Sequence, residues 1–475
     1  MSLQSLPARD KSGYLSEATI AALTTAPGGA INVLRVSGPG AFDAVNRIAN
    51  RRIQDGEPRK LYRVRLLSSA DSWVDDALWV RFVSPESFTG EDVVELHLHG
   101  SSFIAHQALE LLAKNGVRQA LPGEFSFRAV RNGKISISQA QAIADLIAAT
   151  NENATQLALE KLSGTQNRLI TELAANLRSL TAMSELGIDF ADQDVEEVSL
   201  PFLRRKLSPI QTTLSRLKDS YNRGSRVQDG IRVVFVGLPN SGKSSFFNAL
   251  LGEDRSIVSD AAGTTRDIIR ERITLQGTTK TLTLRIEDTA GLRNTSEEGD
   301  PVETMGIART EKAARDADII LFLVDPTSNP GAALEQWRRI GAPGDKTLGI
   351  VTKSDLITPQ IRSGLTQLIA SFGIKQWIET SSITGAGIDQ TTEAIIDLSQ
   401  SWTHRDPQEV LLTRLDHLNA VSGALEHLGR ASAVSGIDLF SADLRQALHS
   451  LAPLIGDTLP DDILGKIFAD FCIGK

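Results

Sequence analysis

The 475-residue sequence predicts a multidomain chain: an α+β domain is followed by a helical domain, and an α/β domain is inserted into the helical one. Three observations carry this prediction. Short apolar segments separated by turn residues extend to about residue 130, leucines recur at helical spacing on both sides of a central block, and strands alternate with helices inside that block. The predicted domains are residues 1–133 for the α+β domain, 134–229 and 399–475 for the helical domain, and 230–398 for the insertion.

The α+β prediction rests on short strands in the first part of the chain. Apolar or alternating segments at 30–36, 62–66, 77–83 and 93–98 are separated by turn residues. Segments of this length and pattern are typical of strands joined by turns. A small α+β domain follows from them.

The helical prediction rests on three rows of apolar residues, two before the central block and one after it. They are Leu159, Leu162, Leu169, Leu173, Leu177 and Leu180; then Leu203, Leu207, Ile210, Leu214 and Leu217; then Leu411, Leu415, Leu418, Val421, Leu425 and Leu428. Spacings of three, four and seven residues place each row on one face of a helix. Because helical segments flank the α/β block on both sides, we predict an insertion whose two ends lie close together.

The composition limits which cellular compartment and which kinds of partner are expected. The formal charge is −8, and the single cysteine, Cys472, excludes an internal disulfide, suits a reducing compartment and is expected to pack as a small hydrophobic side chain. An acidic chain is not expected to bind nucleic acid over its whole surface. Nucleic-acid binding through a local basic patch, or binding of a basic partner, is compatible with this charge. No run of about 18 apolar residues is present, and residues 1–9 lack a signal-peptide core. The sequence therefore predicts a cytoplasmic protein without a membrane segment.

A phosphate-binding loop follows the first strand of the central block. Residues 237–244 read Gly-Leu-Pro-Asn-Ser-Gly-Lys-Ser and come directly after the apolar run 231–236. In the pattern G-x-x-x-x-G-K-[ST], the glycines let backbone N–H groups surround phosphates, the lysine reaches the terminal phosphates, and the last hydroxyl ligates Mg²⁺. The helix expected after this loop adds the positive end of its dipole. The segment predicts a nucleoside triphosphate site.

Further loops follow strands in the order that a GTPase needs. Residues 288–291, Asp-Thr-Ala-Gly, suit Mg²⁺ and the γ-phosphate, and residues 263–267 offer threonine hydroxyls to the metal. Residues 352–355, Thr-Lys-Ser-Asp, resemble the Asn-Lys-x-Asp guanine reader with Thr in place of Asn, and residues 380–385 occupy the place of a second base-contacting loop. Asp355 is expected to select guanine, because its carboxylate accepts both N–H groups of the Watson–Crick edge.

The residue that orients the attacking water is not where Ras-like enzymes place it. A glutamine follows Asp-x-x-Gly in those enzymes, whereas this chain has Leu292. The protein therefore either hydrolyses GTP poorly or uses other groups. The candidates are Glu303 and a monovalent cation at the phosphates, with an oxygen of Asn240 as its ligand. The plain alternative for Glu303 is a solvated carboxylate at a helix start.

Six further segments are more specific than the nucleotide loops. They are Ala30-Ile-Asn-Val-Leu-Arg-Val-Ser-Gly38, Ser87-Phe-Thr-Gly-Glu-Asp-Val-Val-Glu95, Pro122-Gly-Glu-Phe125, Asn132-Gly-Lys134, Gln139-Ala-Gln-Ala-Ile-Ala-Asp-Leu-Ile147 and Phe471-Cys-Ile-Gly-Lys475. In these segments the chain resembles the tRNA-modifying GTPase family MnmE, also called TrmE. The resemblance implies an N-terminal domain that binds folate and forms a dimer, a helical domain built from both flanks, and an inserted P-loop GTPase domain.

The resemblance also implies a reaction. Family members act with a flavin-dependent partner, MnmG (GidA), in a heterotetramer, and install an aminomethyl-type group at carbon 5 of the wobble uridine of certain tRNAs. A tetrahydrofolate derivative, in its 5-formyl or methylene form, supplies the one-carbon unit. FAD belongs to the partner, which also grips most of the tRNA. K⁺ at the phosphates helps two GTPase domains to pair and replaces an arginine finger.

The site residues that the resemblance implies fall into four groups. The GTP-binding residues are Asn240, Ser241, Gly242, Lys243, Ser244, Ser245, Ser259, Asp260, Ala261, Ala262, Gly263, Thr264, Thr265, Asp288, Thr289, Ala290, Gly291, Thr352, Lys353, Ser354, Asp355, Ser381, Ser382 and Ile383. The catalytic group is Glu303, and the metal ligands are Ser244 and Thr265 for Mg²⁺ and Asn240, Ser259, Ala261 and Thr264 for K⁺. The folate contacts are Arg35, Glu95, Lys134 and Lys475. Cations suit the folate glutamate tail, and a carboxylate accepts from pterin N–H groups.

A second function stays open, namely a GTP-dependent switch of the Era or EngA type that binds RNA or ribosomal particles without base chemistry. Such a switch has no use for Arg35, Glu95 and Lys134, so folate binding separates the two functions. A metal pair at His97 and His99 is not expected, because no further Cys or His accompanies them.

Overall fold

The computed structural model describes residues 14–26, 28–69, 72–189, 199–252, 257–258, 270–278, 281–287, 312–341, 343–403, 409–455, 468, 471 and 474. The chain divides into two compact units. One comprises Met1–Ile147, Leu159–Thr212 and Ala420–Lys475, and the other comprises Ala148–Ala158 and Thr213–Asn419. The predicted fold class is confirmed, since an α+β segment, helices and an inserted α/β block follow one another. Among the described helices, none combines the length and apolar character that a membrane span needs.

A six-stranded sheet forms the N-terminal α+β domain. Its strands are β1 (Ile20–Leu23), β2 (Ile31–Ser37), β3 (Tyr62–Ser69), β4 (Ser72–Phe82), β5 (Val93–His99) and β6 (Arg118–Gln119). The spatial order is β3-β4-β5-β2-β1-β6, and all neighbours are antiparallel except β1 and β6. The helices are α1 (Ala41–Asn46), α2 (Ser102–Lys114) and α3 (Glu124–Arg131). The four strands expected from the sequence are present as β2 to β5.

Alternation along the strands gives this sheet two different faces. Leu34, Trp79 and Leu96 are buried and pack in one core with side chains of α1 and α2. Successive side chains of a strand point to opposite faces. The residues next to the core positions, Arg35 and Glu95, therefore lie on the second face.

Four helices follow the N-terminal domain. They are α4 (Ile137–Ala148), α5 (Glu152–Leu162), α6 (Thr165–Asp189) and α7 (Leu200–Asp229). In α6 the predicted row is buried at Leu173, Leu177 and Leu180, and the row from 203 to 217 is buried throughout α7. Leu159 of α5 is an exception, because its side chain is 44% exposed. The buried face of α5 includes Leu157 instead.

The inserted block is a seven-stranded sheet with a parallel centre. Its strands are β7 (Ile231–Val236), β8 (Ile257–Val258), β9 (Arg270–Gln276), β10 (Thr281–Glu287), β11 (Ile319–Val324), β12 (Thr347–Val351) and β13 (Gln376–Glu379). The order is β13-β12-β11-β7-β10-β9-β8. Neighbours from β13 to β10 are parallel, and β9 and β8 are antiparallel. The helices are α8 (Lys243–Leu251), α9 (Pro330–Ile340), α10 (Pro359–Ala370) and α11 (Ile388–Thr403).

Both faces of this sheet are covered. Val233 and Phe235 of β7 pack in a core with side chains of α8 and α11, and Val234 and Val236 pack in a second core with side chains of α9. All of β11 is buried, as expected for a parallel strand covered on both faces. The carboxyl ends of such strands are the usual place for a ligand site.

A segment without regular secondary structure follows the inserted block. Residues 409–414 have no helical structure, and the last described helices are α12 (Leu415–Ala433) and α13 (Ile437–Ile455). The sequence-based expectation of a helix from Leu411 is therefore wrong. Leu411 is buried although it is not helical, because its segment packs along α7.

The entry to the inserted block and the exit from it lie side by side. The backbone N–H of Leu412 donates to Ser220 Oγ at 3.0 Å, and Arg223 forms an ion pair with Glu409. Gly224 lies between these contacts. A Cβ atom at Gly224 would stand 2.0 Å from the carbonyl oxygen of Leu412, so a glycine is required at this crossing.

We therefore predict opposite effects for two Gly→Ala substitutions within helices. Gly224→Ala forces α7 away from residues 409–414 and lowers the free energy of unfolding by about 1–3 kcal/mol, the range of overpacked cores. Gly429→Ala in α12 has nothing within 4 Å of its new methyl group, and the gain in helix propensity raises stability by about 0.5–1 kcal/mol. The two variants are compared with the parent chain by thermal unfolding followed by circular dichroism. A Gly224→Ala variant as stable as the parent would contradict the close approach.

Candidate functional site

The loops predicted to bind nucleotide emerge at one edge of the inserted sheet. They follow the carboxyl ends of β7, β12 and β13, three strands that run parallel. The segments are 237–242 after β7, 352–355 after β12 and 380–385 after β13. This edge is the position at which open α/β sheets bind ligands.

The phosphate-binding loop has a backbone that its sequence makes possible. Asn240 and Gly242 have φ values of +61° and +85°, in the left-handed region that Gly and Asn tolerate best. A Cβ at Gly237 would lie 2.5 Å from the carbonyl oxygen of Leu323. The loop is therefore held close to β11, and α8 begins at Lys243 with its first N–H groups at the loop. This geometry fits the phosphates of a nucleotide.

Lys243 folds over the same loop. Its Nζ donates to the carbonyl oxygens of Gly237 and Leu238, at 2.9 and 2.8 Å. Burial lowers the pKa of Lys243 from its ordinary value, because a low-dielectric environment disfavours the charged amine. A phosphate beside Nζ would favour the charged form, as the predicted role of this lysine requires. Ser244 and Ser245 follow it in the first turn of α8.

Thr352 connects the base-reading loop to the phosphate loop. Its backbone N–H donates to the carbonyl oxygen of Val324 at 2.9 Å. Its buried hydroxyl donates to the carbonyl oxygen of Ser241, also at 2.9 Å. The residue that departs from the Asn-Lys-x-Asp pattern therefore has a definite contact in this chain.

Lys353 has a partner that the sequence did not point out. Its Nζ lies 2.6 Å from Asp325 Oδ2, and Asp325 Oδ1 accepts from both the N–H and the hydroxyl of Thr327, at 2.8 and 2.6 Å. Burial alone would raise the pKa of Asp325, but the hydrogen bonds from Lys353 and Thr327 outweigh it and hold that pKa below its ordinary value. The available signal was an acidic residue directly after the buried strand β11.

The predicted specificity residue and the second base loop are joined by backbone contacts. Asp355 lies in a short 3₁₀ turn at 354–356 and is exposed. The N–H of Ser354 donates to the carbonyl oxygen of Thr380 at 3.0 Å. Ser381 is buried and its Oγ accepts from the N–H of Ile383 at 3.3 Å, whereas the Ile383 side chain is 86% exposed. The loops after β12 and β13 therefore form one surface.

Several predicted residues lie outside the part of the chain that the structure describes. They are Ser259, Asp260, Ala261, Ala262, Gly263, Thr264, Thr265, Asp288, Thr289, Ala290, Gly291, Leu292, Glu303, Cys472 and Lys475. Their roles in GTP, metal and folate binding and in catalysis stay predictions. Of the predicted metal ligands, the structure describes Asn240 in the phosphate loop and Ser244 in the first turn of α8, each two positions from Gly242.

A second group of predicted residues lies on the second face of the N-terminal sheet, opposite the core formed with α1 and α2. Arg35 of β2 and Glu95 of β5 are register partners. Arg35 Nε and Nη2 lie 2.9 and 2.8 Å from Glu95 Oε1. The guanidinium of Arg35 stands 5.4 Å from the ring centroid of Phe88 and 5.5 Å from that of Phe125. This is an ion pair bordered by two aromatic rings.

Lys134 approaches the same region through the loop before β5. Its Nζ donates to the carbonyl oxygen of Pro85 at 2.8 Å, and a Cβ at Gly90 would lie 3.2 Å from Lys134 Cγ. Because Phe88 lies between positions 85 and 90, one loop contacts Lys134 and carries a ring that faces Arg35. Three of the four predicted folate contacts are therefore arranged around residues 85–91.

A buried charge network supports this loop, and sequence reasoning did not identify it. Arg128 is 3% exposed; its Nη1 lies 3.0 Å from Glu91 Oε2 and its Nη2 lies 2.9 Å from Glu124 Oε1. Arg118 Nη1 binds Glu124 from the other side at 3.0 Å. Each buried charge has a charged partner, without which burial would be strongly destabilising. The available signal was an arginine, Arg128, four residues after Glu124 of the Pro122–Phe125 segment, which places both side chains on one face of a helix.

Each of the two histidines of β5 lies near a carboxylate, and of these two contacts only that of His99 is within hydrogen-bond distance. His99 Nδ1 lies 2.7 Å from Asp75 Oδ1, and His97 Nε2 lies 3.9 Å from Glu95 Oε2. Within the described ranges, no group of three or more His, Cys, Asp or Glu side chains could hold a metal ion. The structure gives no support to a metal pair here.

The whole chain is similar in sequence to proteins of one known family. Residues 137–472 match the family model described as MnmE helical domain, and residues 19–134 match that of the GTP-binding protein TrmE N-terminus. The curated "tRNA modification GTPase MnmE" of Bacteroides thetaiotaomicron is 36% identical over 97% of this chain and 100% of its own length. That of Azoarcus sp. is 38% identical over 96% and 98%, and that of Psychrobacter arcticus is 37% identical over 100% of both. The resemblance read from the sequence is confirmed, and the chain belongs to the MnmE family of tRNA modification GTPases.

Proposed function

We propose that this chain is a K⁺-stimulated GTPase that acts with the flavoprotein MnmG (GidA) to install an aminomethyl-type group at carbon 5 of the wobble uridine of certain tRNAs. A tetrahydrofolate derivative in its 5-formyl or methylene form supplies the one-carbon unit. The observation that carries the proposal is the coexistence, in one family member, of a nucleotide-loop edge with an ion pair bordered by Phe88 and Phe125. A GTPase alone does not need the second feature.

The nucleotide would lie along the edge formed by the loops after β7, β12 and β13. Lys243 and the first turn of α8 would hold the phosphates, and Ser244 with Thr265 would hold Mg²⁺. Asp355 would accept from the guanine N–H groups. The contact of Thr352 with Ser241 supports this arrangement, because it fixes the distance between the base end and the phosphate end.

The monovalent cation would be held by Asn240, Ser259, Ala261 and Thr264, where it would supply positive charge to the phosphates. Asn240 supports this assignment through its left-handed backbone, which stands on the phosphate loop two residues before Gly242. Glu303 would serve as the general base or the water-orienting residue in place of the glutamine that Leu292 replaces.

The folate derivative would bind at Arg35, Glu95, Lys134 and Lys475. The partly exposed ring of Phe88 suits a pterin ring, and the buried ring of Phe125 lies against the Arg35 guanidinium. Both contacts from Arg35 fall on Glu95 Oε1, and Glu95 Oε2 is the oxygen that would accept from pterin N–H groups. Lys134 would face the glutamate tail.

The assembly and the compartment follow from the same proposal. The chain would act in the cytoplasm as a homodimer through its N-terminal domain and would join MnmG in a heterotetramer, with FAD on the partner and tRNA as the substrate. The alternative is a GTP-dependent RNA or ribosome assembly switch of the Era or EngA type. The described residues that favour modification chemistry over this switch are Arg35, Glu95 and Lys134.

The Thr352 hydroxyl is predicted to support GTP affinity. Thr352→Val keeps the shape of the side chain but leaves the Ser241 carbonyl without its donor, and we expect roughly 10-fold weaker GTP binding from the loss of a buried hydrogen bond. Thr352→Ser keeps the donor and should bind nearly as the parent does. Fluorescence titration with a labelled guanine nucleotide measures both, and equal affinities for the Val and Ser variants would contradict the role of the hydroxyl.

GTP turnover is predicted to be faster in KCl than in NaCl at equal ionic strength, by about 10-fold or more, because the cation replaces transition-state charge stabilisation by an arginine. Asn240→Gly removes the ligand without straining the left-handed backbone and should abolish the difference. Asn240→Asp, which keeps an oxygen and tolerates the same backbone, should retain it. Phosphate release is measured for each protein in the two salts. Equal rates for the parent chain in KCl and NaCl would contradict the proposal.

Binding of 5-formyltetrahydrofolate is predicted in the micromolar range. Glu95→Gln should weaken it by about 10-fold, the usual effect of losing a charge-assisted hydrogen bond. Glu110→Gln is the matched control, because Glu110 is exposed on α2 and pairs only with His106 among the described residues. Isothermal titration calorimetry measures all three proteins. Absence of binding by the parent chain would favour the assembly switch.

A further inference from the structure

One stretch of the N-terminal domain has a charge opposite to that of the whole chain. Residues 47–65 contain seven Arg and Lys residues and two acidic residues, Asp55 and Glu57, so that seven minus two gives a formal charge of +5. The complete chain has a formal charge of −8. Positive charge concentrated in one short segment of an acidic protein is the electrostatic footprint of a polyanion site.

This segment lies along the outer edge of the N-terminal sheet. Strand β3 is the edge strand, and residues just before it run beside it: Ala49 forms a bridge with Leu66. The N–H of Asn50 donates to the carbonyl oxygen of Arg65 at 3.1 Å, and Asn50 Oδ1 accepts from the N–H of Arg65 at 2.9 Å. Arg51 and Arg52 therefore emerge next to Arg65.

The cations of this edge are directed to solvent and only partly neutralised. Arg65 is 56% exposed, and its Nε lies 3.8 Å from Asp76 Oδ2, whereas Arg63 holds the same carboxylate at 2.7 Å. Arg51 and Arg52 are exposed and form no ion pair with any residue that the structure describes. Their guanidinium groups are available to an external anion.

An exposed tryptophan accompanies these arginines. Trp73, which pairs with Leu67 of β3, is 57% exposed, and the guanidinium of Arg65 stands 5.7 Å from its ring centroid. A large aromatic ring in solvent under a stacked arginine is unusual for a surface without a ligand. It is the arrangement by which proteins stack on unpaired bases of single-stranded nucleic acid while cations contact the backbone.

We propose that this basic edge, formed by Arg51, Arg52, Arg65 and Trp73, binds the tRNA substrate: the arginines contact backbone phosphates and the indole stacks on an unpaired base. The inference rests on the proposed function and adds a contact from this chain to the expectation that the partner grips most of the tRNA. Guanidinium groups favour phosphate because they bind it in a planar, two-pronged manner. The negative charge elsewhere on the chain confines the polyanion to this edge.

The first test measures tRNA binding as a function of salt. Arg51→Gln with Arg52→Gln should weaken binding by about 10-fold or more and reduce the slope of log K against log salt by about 1.5 to 2, because two phosphate contacts disappear. Arg205→Gln with Arg216→Gln removes two exposed arginines of α7 and should leave both quantities unchanged. Unchanged affinity and slope in the Arg51 and Arg52 variant would overturn the proposal.

The second test separates stacking from charge. Trp73→Ala should weaken tRNA binding by about 10-fold with the salt slope preserved, and Trp73→Phe should restore most of the affinity. GTP turnover and folate binding should match the parent in every variant, which shows that the fold is intact. If the variants lose affinity for the flavoprotein while tRNA affinity stays constant, the edge docks a protein and the proposal is wrong.

A third experiment, in cells, tests the basic edge and the proposed function separately. Cells that lack the protein are complemented with the parent chain or with the Arg51 and Arg52 variant, and wobble-uridine modification is measured by mass spectrometry of tRNA. Modification restored by the parent and reduced with the variant supports both. Parent chain that binds tRNA through the edge without restoring modification would refute the proposed function alone. Full restoration by the variant, with unchanged tRNA affinity, would refute the basic edge alone.

Discussion

Parallel pairing of β7 with β10 on one side and β11 on the other is the constraint on which the nucleotide edge depends. Because neighbouring strands run in the same direction, their following loops emerge together and distant residues become neighbours. Thr352 is 111 positions from Ser241 in sequence and donates to its carbonyl oxygen. The same register brings Lys353 to Asp325 at the end of the adjacent strand. The sheet, more than any single motif, therefore sets the spacing between base-reading and phosphate-binding groups.

The N-terminal domain depends on a different interaction, the pairing of charges away from water. Glu124 and Arg128 are buried, and each has at least one further charged partner, Arg118 for the former and Glu91 for the latter. Removing one member would strand another charge in a low-dielectric interior. Because Glu91 belongs to the loop that carries Phe88, the buried network and the partly buried ion pair of the candidate folate site are parts of one arrangement.

A site is predictable from the sequence where a pattern and its chemistry lie in adjacent residues. The loop at 237–244 follows an apolar strand directly, so both its position and its role were predictable. Leu411 lies outside the helix that its spacing predicts, because a buried segment without regular structure continues the apolar spacing of the helix that follows it. Asp325 was missed, since its importance comes from Lys353, 28 positions away. Glu303 stays a prediction, because it lies outside the residues that the structure describes.

The side-by-side path of the chain at Ser220 and Leu412 bears on how such a molecule can arise. When the two junctions of a block are neighbours, the block can be acquired, lost or exchanged in one recombination event without rerouting the helices that flank it in sequence. Gly224 sets the condition for such a transfer, because the outgoing segment passes where any other side chain would stand. A helical domain without a glycine at this crossing could not accept the α/β block with the outgoing segment in its present position.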